Sequence, residues 1–372
     1  MIGAAVADSR EMSHTPPTIY DVARAAEVSI ASVSRVLNGS RNPRQETKDR
    51  VLQAVAELGF VPDGAARALS ARLKEVVGVV IRRVRWVPAT EGSFAEEDES
   101  LQFPEVINRG IEMAAQQQGF NLLLSSVDVD AHDVRARLLA LTRKCDGLIL
   151  HDRLLEPEQL ELLSRRVPIV TLANVSTQTT VNVQGDNEAG MRELARHLLR
   201  DHGYRTIGYL AGLADSPDSM ARQQTLAAEV AAAGATLQSG PQWQGNYYAS
   251  GGTRVIEGLI SSGAALPRAI ICANDQTALG VMYALGQHGV EVPRDVAVTG
   301  FDDIAMARHL RPQLTTVRQP IQEMGATAFE LLHSMISNGL PAEHNIVLPT
   351  RLILRESCGC PPESTLPARR AG

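Results

Sequence analysis

Two adjacent carboxylates, Asp302 and Asp303, are the residues of this 372-residue sequence that most resemble a catalytic pair. The short motifs that usually accompany catalysis are missing. The sequence has no Gly-x-Gly-x-x-Gly, no Gly-x-Ser-x-Gly, no phosphate-binding loop and no His-Glu-x-x-His. An enzyme built on a doubly wound α/β fold is therefore a weaker hypothesis than a binding protein without catalytic activity, and we expect no cofactor.

The four cysteines, Cys145, Cys272, Cys358 and Cys360, offer a second possible chemistry. Only Cys358 and Cys360 lie close together in the sequence, and no histidine stands near that pair at the spacing of a zinc site. We expect reduced, structural thiols and no bound metal.

Charge is distributed unevenly along the chain. The formal net charge is -6, but the segment from Thr18 to Lys74 holds nine basic and six acidic residues, which leaves -9 for the remainder. A basic N-terminal region attached to an acidic remainder is typical of a DNA-binding domain joined to a sensor domain.

The length predicts two or three structural units. No apolar run approaches the roughly 20 residues that a membrane-spanning helix needs. The first 17 residues lack an apolar core and carry Asp8, Arg10 and Glu11, which does not fit a secretory signal peptide. We expect a cytoplasmic protein that does not enter a membrane.

Three short helices are predicted in the N-terminal region. Thr18 caps a first helix that runs to about Ala26, and Ser29 caps a second that ends at Asn38-Gly39. A third runs over 45–58 and stops at Gly59. Two short helices joined by a tight turn make a helix-turn-helix, although an ordinary three-helix core explains the periodicity equally well.

The residues themselves carry a family resemblance. Thr18-Ile-Tyr-Asp-Val-Ala, Val28-Ser and Val33-Ser-Arg-Val-Leu-Asn closely resemble the N-terminal region of the LacI/GalR (lactose-repressor) family. Glu57-Leu-Gly-Phe-Val-Pro and Ala66-Arg-Ala-Leu continue the match in order. The resemblance extends over nearly the whole chain, from Thr18 to Ser357.

The resemblance implies that the second helix lies in the major groove of DNA, where Ile30 and Ala31 meet base edges and Arg35 pairs with guanine. It also implies a hinge helix around Ala65 to Ala71 that inserts Leu69 into the minor groove; the alternative is that Leu69 packs against the rest of the protein. The full predicted DNA-contact set is Thr18, Ser29, Ile30, Ala31, Ser32, Ser34, Arg35, Asn38, Ala66 and Leu69, with the serines and Asn38 on phosphates.

Two residues depart from the family pattern. Glu27 stands where the family usually has glycine, and Asp63 where it usually has asparagine. If the turn needs a positive φ, Glu27 strains the backbone. Asp63 lies near the expected phosphates and either weakens or tunes DNA binding.

From Val76 onward, apolar runs alternate with helical stretches, as in parallel sheets covered on both faces. The pattern restarts after Asn182, which predicts two doubly wound α/β subdomains, and the resemblance implies that they are of the periplasmic-binding-protein type. The predicted organisation is a disordered extension over 1–17, a helix-turn-helix domain over 18–62, a hinge helix and linker over 63–75, an effector-binding domain over 76–360 and a disordered tail over 361–372. Within that domain the N-subdomain takes about 76–175 and 319–345, and the C-subdomain about 177–316 and 347–358.

Two such subdomains enclose a cleft at the carboxyl ends of their strands, where ligands bind in open α/β sheets. By the resemblance, the effector-binding residues are Arg222, Tyr247, Asn274, Asp302 and Asn174, whose side chains suit a sugar or a related metabolite. Taken singly, Asp302 also fits a helix cap and Tyr247 a core position. The stretch 82–103 departs from the family; its Arg82, Arg83, Arg85 and Trp86 fit either ligand recognition or a solvated loop.

The resemblance implies a homodimeric repressor that grips a pseudo-palindromic operator and responds to a small-molecule effector. No leucine heptad follows Ser357, so no tetramer-forming tail is predicted. The alternative is a two-lobed small-molecule binding protein without a regulatory role, which would be exported and would lack the N-terminal helices.

Overall fold

The computed structural model describes residues 17–37, 43–60, 73–83, 102–128 and 133–361. Within these ranges the chain forms two compact units, an N-terminal unit that ends at Glu75 and a C-terminal unit that begins at Val76. Several predictions lie outside the described residues: the contacts of Asn38, Ala66 and Leu69, the effect of Asp63, the roles of Arg85 and Trp86, and the disordered state of both termini.

The N-terminal unit contains three helices, α1 (Ile19–Ala25), α2 (Ile30–Leu37) and α3 (Gln45–Leu58). Their shared core is small, since it is built from valine, alanine and one phenylalanine, Phe60. On α3, Val51 and Ala54 face this core, whereas Leu52 and Leu58 are exposed. Within the described residues the helix bounds agree with the predicted ones.

Side chains next to the helices define where α1 and α2 begin. The Thr18 hydroxyl and backbone N–H both donate to the Asp21 carboxylate, at 2.6 and 2.9 Å. The Ser29 hydroxyl accepts from the backbone N–H of Ser32 at 3.2 Å, as an N-cap does. Between the two helices Glu27 has a φ of 50°, so the turn does require the left-handed conformation that glycine adopts without strain.

The C-terminal unit contains a six-stranded parallel sheet, in the order β11-β5-β4-β3-β1-β2. Helices α4 and α11 cover one face and α5 and α6 the other. This sheet with its helices is the N-subdomain. Its elements are β1 (Val76–Arg83), α4 (Gln102–Gln117), β2 (Asn121–Asp128), α5 (Val134–Thr142), β3 (Gly147–His151), α6 (Pro157–Ser164), β4 (Ile169–Leu172), β5 (Val181–Gly185), α11 (Ile321–Asn338) and β11 (Asn345–Leu348).

A second parallel sheet has four strands in the order β7-β6-β8-β9. Helices α7 and α8 pack on one face and α9 and α10 on the other, which completes the C-subdomain. Its elements are α7 (Asn187–Arg196), a π-helical turn (His197–Asp201), β6 (Thr206–Leu210), α8 (Pro217–Ala232), β7 (Thr236–Gln238), α9 (Ala249–Ser261), β8 (Ala269–Cys272), α10 (Asp275–Gln287) and β9 (Ala297–Thr299). An antiparallel pair, β10 (Thr316–Arg318) and β12 (Arg351–Ile353), lies beside it.

The predicted fold class is confirmed, but the subdomain boundaries need correction. Strands β5 and β11 both belong to the six-stranded sheet, so the chain first leaves the N-subdomain after Gly185 and last leaves it after Leu348. The sequence interpretation ended the first part of the subdomain near 175, since the strand–helix pattern restarts after Asn182. In the structure Asn182 is fully buried inside β5, where its amide bonds Thr171, the backbone of Asn174, Gln184 and Asn345.

Among the described residues, no helix is both long enough and apolar enough to cross a bilayer.

The strained turn at Glu27 leads to a first prediction. The Glu27→Gly substitution removes the Cβ from a left-handed residue and should stabilise the N-terminal unit by about 1 kcal/mol. Hydrogen exchange of the slowest amides in α1, α2 and α3, measured on the full chain, should slow about fivefold, since 1.4 kcal/mol corresponds to a factor of ten.

The Gln53→Gly substitution is the matched control, because Gln53 lies exposed in the interior of α3. There glycine should destabilise the helix by about 1 kcal/mol and speed the same exchange. Equal effects of the two glycines, or faster exchange in Glu27→Gly, would contradict the assignment of strain.

Candidate functional site

The C-terminal unit contains a cleft at the carboxyl ends of the strands of both sheets. From the N-subdomain it is lined by residues that end β1, β3 and β4, and from the C-subdomain by residues that follow β6, β8 and β9. In parallel sheets these strand ends present side chains and loop backbone to a shared space, which is where ligands bind. The lining residues are Ile81, Arg82, Phe103, Pro104, His151, Asp152, Leu172, Ala173, Leu213, Ser216, Asp218, Arg222, Asn246, Tyr247, Tyr248, Asn274, Gln276, Asp302 and Gln319.

Arg222 forms the floor of the cleft on the side of the C-subdomain. Its side chain is 3% exposed, and its Nε donates to the Asn187 side-chain oxygen at 2.7 Å. Its Nη1 donates to the Ala273 carbonyl at 2.5 Å, and its guanidinium lies 3.8 Å from the centre of the Phe301 ring. The Asp218 carboxylate is 3.6 Å from Nη2. A buried guanidinium needs such partners, because an unpaired buried charge is strongly destabilising.

Asp302 lies next to this network and is 4% exposed. Gln319 donates to its Oδ1 at 2.7 Å. Burial raises the pKa of Asp302 to about 7, although Arg222 and the Gln319 hydrogen bond act in the opposite direction. Burial likewise raises the pKa of Asp218 and raises that of Asp152 to about 6. The cleft therefore holds carboxyl groups that exchange protons near neutral pH.

Several buried polar atoms of the cleft residues have no hydrogen-bond partner in the described part of the chain. They are Nε of Arg82, Nε2 of His151, Oδ1 of Asp152 and Oε1 of Gln319. Buried polar groups in proteins are almost always hydrogen-bonded, and a ligand is one of the partners that satisfy them. Burial lowers the pKa of His151 to about 4, so its imidazole is neutral at physiological pH. The unsatisfied atoms thus include donors and acceptors within one cleft.

Two contacts join the subdomains across the cleft. The Arg82 guanidinium reaches across to the Asp215 carboxylate at 2.9 Å. It also lies 3.6 Å from the Asp152 carboxylate of its own subdomain. The backbone N–H of Gln102 donates to the Gln276 side chain at 3.1 Å. Arg82 is thus a largely buried, ion-paired residue of β1 and not part of a solvated loop.

Tyr247 and Asn274 meet at the wall formed by the C-subdomain. The phenol of Tyr247 lies 3.1 Å from the Ser216 hydroxyl, and burial raises its pKa. Asn274 caps α10: its side-chain oxygen accepts from the Thr277 N–H at 2.9 Å, while its amide donates to the Tyr247 carbonyl at 3.0 Å. An amide has two donors and two lone pairs, so one of each remains for a ligand.

Of the five predicted effector residues, Arg222, Tyr247, Asn274 and Asp302 lie together in the cleft lining and Asn174 does not. The amide of Asn174 donates to the Asp152 carbonyl at 3.1 Å and accepts from the Val175 N–H at 2.7 Å. Asn174 thus supports the loop that carries Asp152 instead of facing the cleft.

Sequence reasoning missed several lining residues, including His151, Asp152, Asp218 and Gln319. A signal existed for His151 and Asp152, because they end the apolar run of β3, where parallel strands present ligand contacts. Gln319 lies in a stretch that resembles the family, but no comparable signal marked Asp218, which lies in α8 and reaches the cleft only through the fold.

In the N-terminal unit, α2 turns one side away from the core. Val33 and Val36 are buried, whereas Ile30, Ala31 and Arg35 are exposed and Ser32 and Ser34 are half-buried. Thr18 and Ser29 are exposed beside the starts of α1 and α2. The described members of the predicted DNA-contact set therefore lie on or next to an accessible surface, and Arg35 has no ion pair with any described residue.

Comparison with known proteins gave matches to both units. Residues 18–63 match the sequence profile described as "Bacterial regulatory proteins, lacI family", and residues 195–358 match "Periplasmic binding protein-like domain". The chain is 32% identical over 346 residues to the ribose operon repressor of Haemophilus influenzae, covering 91% of this chain and 98% of that protein. It is 31% identical over 345 residues to catabolite control protein A of Priestia megaterium, with the same coverage.

Solved structures are similar over the same extent. The Lac repressor dimer bound to operator and the anti-inducer ONPF superimposes with a TM-score of 0.78 at 26% identity, covering 92% of this chain and 99% of that one. The complex of the transcriptional regulator CelR with cellobiose has a TM-score of 0.64 at 27% identity, with the same coverage.

The raised pKa of Asp302 leads to a prediction for stability. In the unfolded chain this carboxyl loses its proton near its ordinary pKa of about 3.9, whereas in the folded protein it keeps the proton up to about pH 7. The folded state therefore binds more protons between these values, and stability is lost as the pH rises through that window. Asp302→Asn cannot titrate, so its free energy of unfolding relative to wild type should rise by about 2 to 3 kcal/mol between pH 5 and 8.

Urea unfolding followed by tryptophan fluorescence, to which the buried Trp243 contributes, measures this difference. Asp295→Asn is the control, because hydrogen bonds from Arg294 lower the pKa of Asp295 and its titration lies below the tested range. A difference that stays flat for Asp302→Asn, as it should for Asp295→Asn, would show that Asp302 is ionised throughout.

Proposed function

The chain belongs to the lacI family of bacterial regulatory proteins, and from this premise we propose that it represses transcription as a homodimer on a pseudo-palindromic operator, under the control of a sugar or related metabolite. The family consists of DNA-binding regulators of transcription and not of enzymes. Such a regulator works on the chromosome, so we propose a cytoplasmic location. The N-terminal helices argue against a binding protein without a regulatory role.

DNA binding is proposed for the exposed side of α2. Ile30 and Ala31 offer apolar contacts to thymine methyl groups, and Arg35 offers a pair of donors to guanine. Thr18, Ser29, Ser32 and Ser34 present hydroxyls at the edge of this surface, where they suit phosphate oxygens. Asn38, Ala66 and Leu69 complete the proposed contact set from outside the described residues.

The homodimer is proposed by analogy with the Lac repressor, whose operator-bound structure is a dimer. Two copies of α2 related by a two-fold axis read two half-sites of a pseudo-palindrome, about one helical turn of DNA apart. Each half-site is then recognised by the same few side chains.

The single observation that carries the effector proposal is the set of buried, unpartnered polar atoms at the cleft. A compound rich in hydroxyl groups both donates and accepts, so we propose that it pairs with such groups of Arg82, His151 and Asp152 when it occupies the cleft. Phe103, Tyr247 and Tyr248 line the same cleft and provide apolar faces for a sugar ring. Arg222, Asn274 and Asp302 are proposed as further polar contacts.

Control by the effector follows from the two sides of the cleft. A ligand that contacts both subdomains favours the arrangement in which both sets of contacts form, and so it shifts the population between lobe orientations. The Arg82–Asp215 ion pair already spans the cleft and is sensitive to such a shift. We propose that lobe orientation sets the spacing of the two DNA-binding units in the dimer, and with it operator affinity.

The operator is found by selecting binders from a pool of random DNA duplexes, which should enrich a pseudo-palindrome. Arg35→Ala should then lower affinity for the selected duplex by about 5- to 150-fold, because a good bidentate contact to guanine contributes about 1–3 kcal/mol. Affinity for unrelated duplex should fall much less, since nonspecific binding depends on phosphate contacts.

Arg165→Ala is the control, because it removes the same charge from an exposed position of the N-subdomain, just after α6. Its operator affinity should equal that of wild type in the same gel-shift series. A pool without an enriched sequence would refute the repressor proposal, and wild-type affinity of Arg35→Ala would refute the proposed contact.

The effector is sought with a thermal-shift panel that includes ribose, cellobiose and common hexoses, since a ligand that binds only the folded protein raises the unfolding temperature as its concentration exceeds the Kd. Asp152→Asn should lower the affinity for the active sugar about 10- to 100-fold, as measured by calorimetry, because a hydrogen bond to a charged group contributes about 1.5–3 kcal/mol. Operator binding in the absence of sugar should not change.

Glu158→Gln, which alters an exposed carboxylate of α6, should bind the sugar normally. If no sugar of the panel stabilises the protein, the ligand class is wrong. If Asp152→Asn binds the active sugar as wild type does, the cleft contact is wrong.

A further inference from the structure

Four side chains with metal-ligating atoms meet in the C-subdomain, away from the cleft lining. His197 and His202 lie at the end of α7, and Cys358 and Cys360 lie after β12, more than 150 residues further along the chain. One ligand atom from each residue lies within 4.8 Å of all the others. His197 and Cys358 are buried, and His202 and Cys360 are half-buried. This group is called the Cys–His cluster below.

The histidine half of the cluster depends on the π-helical turn. In a regular α-helix, residues five apart point in different directions, because each turn takes 3.6 residues. From His197 to Asp201 the chain widens into a π-helix, closed by a bond from the His202 N–H to the His197 carbonyl at 3.3 Å. This wider turn brings the two Nε2 atoms to 3.0 Å. Single π-helical turns are rare and frequently occur at functional sites.

The cysteine half is shaped by a tight loop. A short 3-10 helix, Glu356–Cys358, ends at Gly359, whose φ of 99° reverses the chain so that both thiols face the histidines. A Cβ at Gly359 would lie 3.0 Å from the Tyr204 hydroxyl, a tight contact at a φ that favours glycine. That hydroxyl donates to the Cys358 carbonyl at 2.9 Å. The loop is therefore held in place independently of the cluster.

We propose that the Cys–His cluster binds one zinc ion in a tetrahedral Cys2His2 site. With Zn–S distances near 2.3 Å and Zn–N near 2.05 Å, the edges of a regular tetrahedron are about 3.5 Å for N···S and about 3.3 Å for N···N. The His197 Nε2 lies 3.5 Å from each sulfur, and the His202 Nε2 lies 3.5 Å from the Cys360 sulfur. Together with the N···N distance of 3.0 Å, four of the six ligand–ligand distances lie close to the tetrahedral values, and no two ligand atoms are more than 4.8 Å apart.

The surroundings of the cluster fit zinc as well. The Asp201 carboxylate lies 2.9 Å from Nδ1 of His197, the carboxylate–histidine arrangement that orients an imidazole toward a metal. The Thr315 hydroxyl donates to the Cys358 sulfur at 3.1 Å, as a hydroxyl does to a thiolate. Two thiolates and two neutral imidazoles balance the charge of Zn²⁺. Four protein ligands leave no open position, so the site is structural and not catalytic.

The zinc ion would fasten the segment that follows β12 to the C-subdomain. Without it, that segment is held by β12 and by hydrogen bonds such as the one from the Ser357 hydroxyl to the Val298 carbonyl at 2.6 Å. With zinc bound, the metal would connect the segment after β12 to the end of α7. The proposal involves neither DNA nor effector, so it stands or fails separately from the proposed repressor function.

The test is metal analysis of the untagged, full-length protein, purified without chelators. We expect one zinc per chain by plasma mass spectrometry. After chelation and refilling with Co²⁺, the visible spectrum should show intense tetrahedral bands and sulfur-to-cobalt charge transfer. Cys360→Ser and His202→Gln should lose stoichiometric metal, and Asp201→Asn should bind zinc about tenfold more weakly.

Matched controls are Cys145→Ser, which removes a thiol from the N-subdomain core, and His309→Gln, which removes an exposed imidazole. Both should keep one zinc per chain. The proposal is overturned if the wild-type protein takes up no stoichiometric zinc, if its cobalt spectrum is octahedral, or if thiol titration with and without chelator shows that Cys358 and Cys360 form a disulfide. Since the cobalt spectrum is recorded on wild type, the test does not depend on the folding of any variant.

Discussion

The buried guanidinium of Arg222 is the interaction on which the architecture of the cleft depends. It links the start of α7 through Asn187, the end of β8 through Ala273 and the first turn of α8 through Asp218. Each partner comes from a different element, so the three elements must keep their relative positions for the charge to stay compensated. A buried charge with a partner removed is strongly destabilising, and this fixes the wall formed by the C-subdomain before any ligand arrives.

The same burial raises carboxyl pKa values in the cleft and leaves several polar atoms without hydrogen-bond partners among the described residues. Burial raises the pKa values of Asp152, Asp218 and Asp302, although Arg222 or Arg82 lies close to each. A ligand hydroxyl that donates to one of these groups stabilises its ionised form, so ligand binding and proton release are coupled. The unpartnered atoms of Arg82 and His151 lie on the N-subdomain, and those of Gln319 at a crossing between subdomains. One ligand is thus able to favour a single lobe orientation from both sides, which is the requirement for control at a distance.

Local patterns in the sequence were enough to predict the helices of the N-terminal unit and the α/β class, because capping residues and apolar periodicity act over a few residues. Asn182 shows where such patterns fail: this polar residue is stable within a strand because four partners, in β4, the loop after it, β5 itself and β11, satisfy its amide. Family resemblance led to Arg222 and Asp302, yet Asp218 reaches the cleft through tertiary packing alone. The cysteines were interpreted as structural thiols because no histidine lies near Cys358 and Cys360 in the sequence at the spacing of a zinc site. His197 and His202 are more than 150 residues away from this pair and come together only because the chain forms a π-helical turn between them.

Helix α7 connects the two polar sites of the C-subdomain. Asn187, at its first residue, holds Arg222 and Asp218, while its last residue leads directly into the π-helical turn with His197 and His202. Ten helical residues separate these ends by about 15 Å, and a helix of that length moves as a rigid rod. A zinc ion at one end would therefore restrict how the other end shifts against α8. The Cys–His cluster would then act on the cleft by limiting the freedom of α7, without contact with the effector.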